Sequence, residues 1–304
     1  MRRFQACLFT ALFSAFLSLA LSIHAYAAPV HLTDDRGRVI DLTAPPQRVI
    51  SLLPSLTETV CELQQCHRLV GVDRYSNWPA KLKSLPQLGG GIDPNIEAIV
   101  ALRPDVVLMA RSSRIADRLE ALGIKVVALE TETQADARRA TLKLAQLLGL
   151  PSEDASRLWQ RIDAAVDAEA RSLPAALRGI RVYFEVSRAP YAAGEASFIG
   201  QTLSRLGVRN IVPAALGPFP KLNPEFVVRA NPEVIMVGEL NDEDLAARPG
   251  WKNIRAIRER RICVFPTEVA DTIVRPGPRL AEGARHLVAC LTSKAAGART
   301  EPDQ

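Results

Sequence analysis

The chain has 304 residues, 48% hydrophobic and 23% charged. That is too apolar for a disordered protein, and the length suggests two domains. Thirty-eight basic against 33 acidic residues give a net charge of +5. A mean hydropathy of +0.05 is far below that of a multispan membrane protein. Loss of Arg2 and Arg3 with a leader would leave +3, too little for a nucleic-acid-binding face.

The leader is the first element. Arg2 and Arg3 precede a charge-free run from Ala6 to Ile23, and Ala25-Tyr26-Ala27 has the small-x-small pattern of a cleavage site. The expectation is a signal peptide over residues 1–27 and an exported, periplasmic chain from Ala28. The alternative is an uncleaved anchor, because the run has about the 18 residues a spanning helix needs. Cys7 sits at the start of the apolar run and not after it, which argues against a lipid-anchored cysteine.

Val30 to Leu42 alternates around Asp35-Arg36-Gly37, as a short hairpin does. Arg48 to Pro54 reads as a buried strand. Ser55 to Leu63 reads as a helix, with capping-box spacing from Ser55 to Glu58. Export permits disulfides. Cys61 and Cys66 would point apart on an unbroken helix, so a bond between them requires the helix to end near Leu63. Cys263 lies in a strand-like run and Cys290 in a helical one, and the pattern does not decide whether they meet. No spacing of cysteines or of His31, His67 and His286 reads as a metal site.

Strand and helix then alternate. Strands are expected at Leu69, Val106 and Lys125, and helices at Pro94–Leu102 and Ser113–Leu122, the pattern of parallel βα units. Thr133 to about Leu173 loses the strand signal and keeps helical spacing, interrupted at Pro151. A second alternating set follows: strands at Ile180, Val234 and Ile262, and helices at Ser197–Leu206, Pro224–Ala230 and Pro278–Leu291. The organisation expected is an α/β lobe over 28–132, a helical connector over 133–173, a second α/β lobe over 174–292, and a frayed tail over 293–304.

Residues 95–109 echo residues 223–237, with Asn, Glu, Val, Pro and Val shared at an offset of 128. The echo puts Glu97 and Glu225 in the first turn of corresponding helices. Helix-dipole complementarity alone would favour acidic residues there by about 0.3–1 kcal/mol.

Motifs for phosphate loops, nucleophile elbows and dinucleotide binding are absent, and no nucleophile and base pair assembles, which disfavours an enzyme. An exported hydrolase would need a Ser or Asp with a His in its cleft. Aromatic residues in polar loops carry more information. Tyr75 and Trp78, Tyr191 and Phe219 lie where open α/β sheets place ligand loops, beside prolines that stiffen them. Trp159 and Trp251 sit in helical patterns and read as packing residues. Arg188, Lys221, Asp271 and Arg275 add charge near these loops, the last two flanking "DTIVR", read as the join between the last strand and the closing helix.

The ordered segments "RVISLLPSLTE", "LVGVDRYSNWP", "IEAIVALRPDVVL", "LGIKVV", "PYAAGEAS" and "RPGPRL" resemble the helical-backbone substrate-binding proteins of ABC importers, which carry cobalamin, ferric siderophores or haem. The resemblance spans nearly the whole exported chain and is strongest to the cobalamin branch. It implies two Rossmann-like lobes with parallel sheets, joined by one long rigid helix, and a monomer with its ligand in the interlobe cleft. It also implies that Glu97 and Glu225 dock with arginines of the permease dimer. Tyr75 matches a tyrosine of the cobalamin branch, Trp78 a tyrosine, Tyr191 a phenylalanine, Phe219 a tryptophan and Asp271 an aspartate. Gly91 stands where that branch has another tryptophan, and the opening hairpin looks more like the siderophore branch. The expected ligand is cobalamin, contacted by Tyr75, Trp78, Tyr191, Phe219, Asp271 and Arg275. For a siderophore or haem, Arg188 and Arg275 would instead pair with ligand carboxylates, and Tyr75 or Tyr191 would approach the iron.

Overall fold

The computed structural model describes residues 28–187, 191–238 and 245–296. The expected signal peptide and Arg188 lie outside these residues.

An antiparallel hairpin, β1 (Val30–Thr33) and β2 (Val39–Leu42), opens the described chain. The N-terminal lobe follows with β3 (Val49–Ser51), α1 (Pro54–Glu62), β4 (Leu69–Val72), α2 (Ile96–Ala101), β5 (Val106–Ala110), α3 (Ala116–Ala121) and β6 (Val126–Leu129). Its sheet is parallel, in the order β4-β3-β5-β6. The connector is α4 (Gln134–Leu147) and α5 (Ser152–Ser172). The C-terminal lobe holds β7 (Arg181–Ser187), β8 (Tyr191–Ala192), α6 (Phe198–Arg205), β9 (Arg209–Asn210), α7 (Pro224–Ala230), β10 (Val234–Gly238), α8 (Arg255–Arg258), β11 (Ile262–Phe265), α9 (Thr267–Val274) and α10 (Leu280–Ala296). Here β11, β10, β7 and β9 are parallel, and only β8 joins antiparallel, against β7.

Strand periodicity of two sorts the core. In β5, Val106 and Leu108 face one way while Val107 and Met109 face the other. In β10, Val234 and Met236 are similarly opposed to Ile235 and Val237. The inner faces of both sheets belong to one continuous core, threaded through Leu144 of α4, Leu158 and Ile162 of α5, Phe198 of α6 and Leu287 of α10. Each outer face has a smaller core of its own. At about 1.5–3 kcal/mol for each fully buried large aliphatic side chain, this shared core ties the lobes to their connector as one body.

The connector breaks at the expected place. Gly149 adopts a left-handed φ of 71° and Pro151 precedes α5, so the strut consists of two helices in series. Thr133 and Asp136 cap α4 with a reciprocal capping box. The capping box expected at Ser55 does not form: Pro54 starts α1 one residue earlier, Leu53 is the N-cap, and Glu58 turns into the seam between the lobes.

The internal echo is also conformational. Asn95 and Asn223 both cap their helices through side-chain oxygens, and Arg103 and Asn231, at the same offset, share a left-handed φ of 46° before the proline. Cys61 bonds to Cys66 because α1 stops at Glu62 and Gln64 turns left-handed. Cys263 on β11 bonds to Cys290 on α10, a pairing the sequence pattern left open. The closing helix continues to Ala296, into the segment expected to fray.

Candidate functional site

The site lies at the carboxyl ends of the N-terminal lobe's parallel strands, where loops leave the sheet. Leu53 and Ser55 follow β3, Tyr75 follows β4, Ala110 ends β5 and Ser112 follows it, and Glu130 and Glu132 follow β6. The C-terminal lobe faces them with Phe198 at the start of α6, Phe219, and Asp271, Val274 and Arg275 at the end of α9. Together they enclose a hollow of about 400 Å³ between the lobes. Phe198 and Phe219 meet edge to face at 6.1 Å, and the Phe198 N–H donates to the Glu132 carbonyl at 2.8 Å across the seam.

The floor is a buried polar latch. Arg275 is 6% exposed and Glu58 1%. Arg275 donates through Nη1 to Glu58 Oε1 and Asn77 Oδ1, both at 2.8 Å. Through Nη2 it donates to the Tyr75 carbonyl at 2.9 Å and Asp271 Oδ2 at 2.6 Å. Asn77 Nδ2 also donates to Asp271 Oδ2, at 3.1 Å. The latch therefore fixes the tyrosine-bearing loop of one lobe to the last turn of α9 in the other. Burial pushes the Glu58 carboxyl above its usual range despite the pull of Arg275 and Arg279.

Four of the residues expected at the ligand, Tyr75, Phe219, Asp271 and Arg275, line this hollow. Tyr75 is 58% exposed and free to meet a guest. Trp78 and Tyr191 are not among its lining residues. Trp78 lies beneath the Arg279 guanidinium, 5.1 Å from its ring centre. Tyr191, 40% exposed, sits on β8 beside Lys221. The segment read as a join between strand and helix is itself helix α9, because Thr267–Val274 has an apolar face that packs on α10. Glu97 and Glu225 are exposed, away from the hollow, in the first turns of α2 and α7. Among the described residues the Glu225 carboxylate is paired with Arg229 alone, at 3.6 Å.

Sequence reasoning missed Ser55, Glu130, Glu132 and Phe198. The Ser55 hydroxyl is buried at the edge of the hollow with no partner among the described residues. Burial and the neighbouring Glu132 charge hold the Glu130 carboxyl above the usual glutamate range, while Arg111 approaches it at 3.6 Å. The signal for both glutamates was available, since "ETET" leaves β6 on the same side as the loops after β3 and β4.

A two-lobed body with a ligand-sized hollow at its seam, lined by rings and hydrogen-bonding groups, has the architecture of a solute-binding protein. The chain belongs to the periplasmic binding protein family, whose model matches residues 49–269. It is 28% identical over 255 residues to a vitamin B12-binding protein of Pectobacterium atrosepticum, covering 82% of this chain and 89% of that one. Among solved structures, a possible iron-binding periplasmic solute-binding protein of Staphylococcus epidermidis superposes with a TM-score of 0.70 at 25% identity, covering 81% of this chain and 99% of that chain. A periplasmic haem-binding protein of Pseudomonas aeruginosa superposes with a TM-score of 0.66 at 26% identity, covering 85% of this chain and 95% of that chain.

Proposed function

We propose that this protein is a periplasmic carrier that captures a corrinoid, cobalamin, at its seam and delivers it to an ABC importer, performing no chemistry of its own. The observation that carries the choice of ligand is the charge balance of the hollow. Its lining is rich in acceptors: Glu132 has no side-chain partner among the described residues, Glu130 is only loosely paired, and Asp271 keeps Oδ1 free. Arg275, the one lining arginine among the described residues, already faces Glu58 and Asp271. A ligand bearing carboxylates, such as haem, would meet acceptors with acceptors, whereas the peripheral amides of a corrinoid supply the N–H donors these groups lack. Tyr75 and Phe219 offer faces for the macrocycle.

Titration of the purified protein with cyanocobalamin, followed by intrinsic fluorescence and visible absorbance, tests this reading. Saturable one-to-one binding at micromolar protein is expected. Haemin or a ferric chelate binding where cyanocobalamin does not would overturn it.

Delivery rests on Glu97 and Glu225, which the internal echo places at equivalent exposed points of the two lobes. Their carboxylates are available for charge-assisted contacts with permease arginines. Replacing both with Ala should leave ligand affinity unchanged and abolish uptake in cells, and undiminished uptake would refute the docking role.

A further inference from the structure

We infer that the amino-terminal edge of the sheet in the C-terminal lobe is a docking face for an anionic phospholipid surface, which holds the protein with its hollow turned away, whichever ligand that hollow takes.

The face is a gathering of arginines that the net charge conceals. Arg181 opens β7, Arg209 opens β9, and Arg255, Arg258, Arg260 and Arg261 lie on α8 and the turn into β11. Glu233, just before β10, and Glu259 are the acidic residues among them. Six against two leaves a local surplus of four, when the whole chain from Ala28 has a surplus of three. The rest of the exported chain is therefore slightly acidic in sum.

These groups share one surface. Arg255 Nη1 donates to Glu233 Oε1 at 2.7 Å, and the Arg181 backbone N–H donates to Glu233 Oε2 at 3.0 Å. Glu259 accepts from Arg255 Nε at 2.8 Å and lies 3.1 Å from Arg261 Nε. The bond from Arg255, with the charges of Arg261 and Arg258 added, holds the Glu259 carboxyl below its usual range. Arg209 stands opposite Arg181 in the register of β9 and β7, which puts both side chains on one side of the sheet. The two glutamates are thus engaged within the face. Arg209, Arg258 and Arg260 are exposed and have no side-chain acceptor among the described residues.

Three features select the partner. The starts of β9, β7, β10 and β11 lie side by side, about 15 Å across, which suits an array of phosphates better than a single bound anion. Arginine presents a planar fork that pairs with two phosphate oxygens at once. A protein partner would call for an apolar centre depleted in charge. The exposed large apolar residues of the described chain lie elsewhere, the closest in sequence being Val264 within β11.

Position gives the face its use. Helix α9, which bears Asp271 of the hollow, follows the carboxyl end of β11. Glu225 lies at the start of α7, and the other end of that helix leads into β10. The arginines lie at the opposite ends of the same strands. A protein held by them keeps both its hollow and Glu225 clear of the surface.

Co-sedimentation of the purified protein with vesicles tests this. At low ionic strength it should sediment with vesicles of mixed phosphatidylglycerol and phosphatidylcholine and not with phosphatidylcholine alone. Salt at about 1 M, where the screening length falls to about 3 Å, should release it. Each arginine at such a surface contributes about a fivefold gain in partition. Arg209→Gln, Arg258→Gln and Arg260→Gln combined should therefore weaken binding about a hundredfold while thermal unfolding stays that of the wild type. Lysine at the same three positions keeps the charge and should restore most of the binding. Wild-type protein that ignores the anionic vesicles at low salt would overturn the inference, and this arm stands even should the triple variant misfold. Undiminished binding by a folded triple variant would overturn it too. Equal or tighter retention on polyglutamate would give the face to an acidic polypeptide and overturn the lipid assignment.

Discussion

Two glutamates are buried among the described residues, one inside the C-terminal lobe and one at the seam, each facing an arginine, and the two pairs are built differently. Within the lobe, Glu185 on β7 is fully buried and accepts two bonds from Arg248, at 2.7 and 2.8 Å. The Tyr183 hydroxyl adds a third at 3.0 Å, and Trp251 lies 4.4 Å from the Arg248 guanidinium. Both carboxylate oxygens are satisfied. Across the seam, Glu58 uses only Oε1, towards Arg275 and more distantly Arg279 at 3.7 Å, and Oε2 is buried without a partner among the described residues. A saturated bidentate pair holds the inside of a lobe. The seam pair leaves an acceptor open and divides its arginine among four acceptors, three of them in the other lobe. Its contribution is to the mutual position of the lobes more than to net stability, since desolvating such a pair costs about as much as its attraction returns.

Removing one partner from each pair should separate the two roles. Arg248→Met leaves Glu185 buried and uncompensated, and should cost about 3–5 kcal/mol of unfolding free energy in urea titration. Arg275→Met should cost less, about 2 kcal/mol, because Arg279 stays near Glu58 and a carboxyl already raised by burial accepts a proton readily. Arg275→Met should also free the Tyr75 loop, measured as faster amide exchange over 73–78, an effect Arg248→Met should lack. Equal costs and equal exchange would erase the distinction drawn between the pairs.

The same contrast explains what could be read from the chain. Strand alternation, the proline break at Pro151 and the echo between 95–109 and 223–237 are local patterns, and they located the lobes and strut. Tyr75 and Phe219 were legible because rings in polar, proline-flanked loops are unusual in so aromatic-poor a chain. The latch was not legible: Glu58 and Arg275 are 217 residues apart, and each taken alone resembles an ordinary charge near a helix end. Trp78 shows the limit in the other direction. Its loop position suggested the cleft, but whether the ring faces a ligand or lies under Arg279 depends on the packing of another lobe.

The smallest expected effect sharpens the comparison most, because it reads the unsatisfied oxygen of Glu58 directly. The folded-state pKa of Glu58 is raised above the ordinary 4.5 by burial. A raised carboxyl contributes stability that is fully present below its unfolded pKa and is lost as pH rises through the folded value. Glutamine at this position keeps an oxygen for Arg275 and does not titrate. The stability of Glu58→Gln relative to the wild type should therefore be level at acid pH, rise as pH passes through the raised value, and level off again. Thermal unfolding of both proteins between about pH 4 and 8 measures this. Asp35 and Asp136, whose carboxyls are held down, lose their contribution as pH falls, but in both proteins alike, so they cancel in the difference. A gap that narrows with rising pH would mean that Arg275 and Arg279 outweigh burial at Glu58, making the seam pair as complete as the one around Glu185.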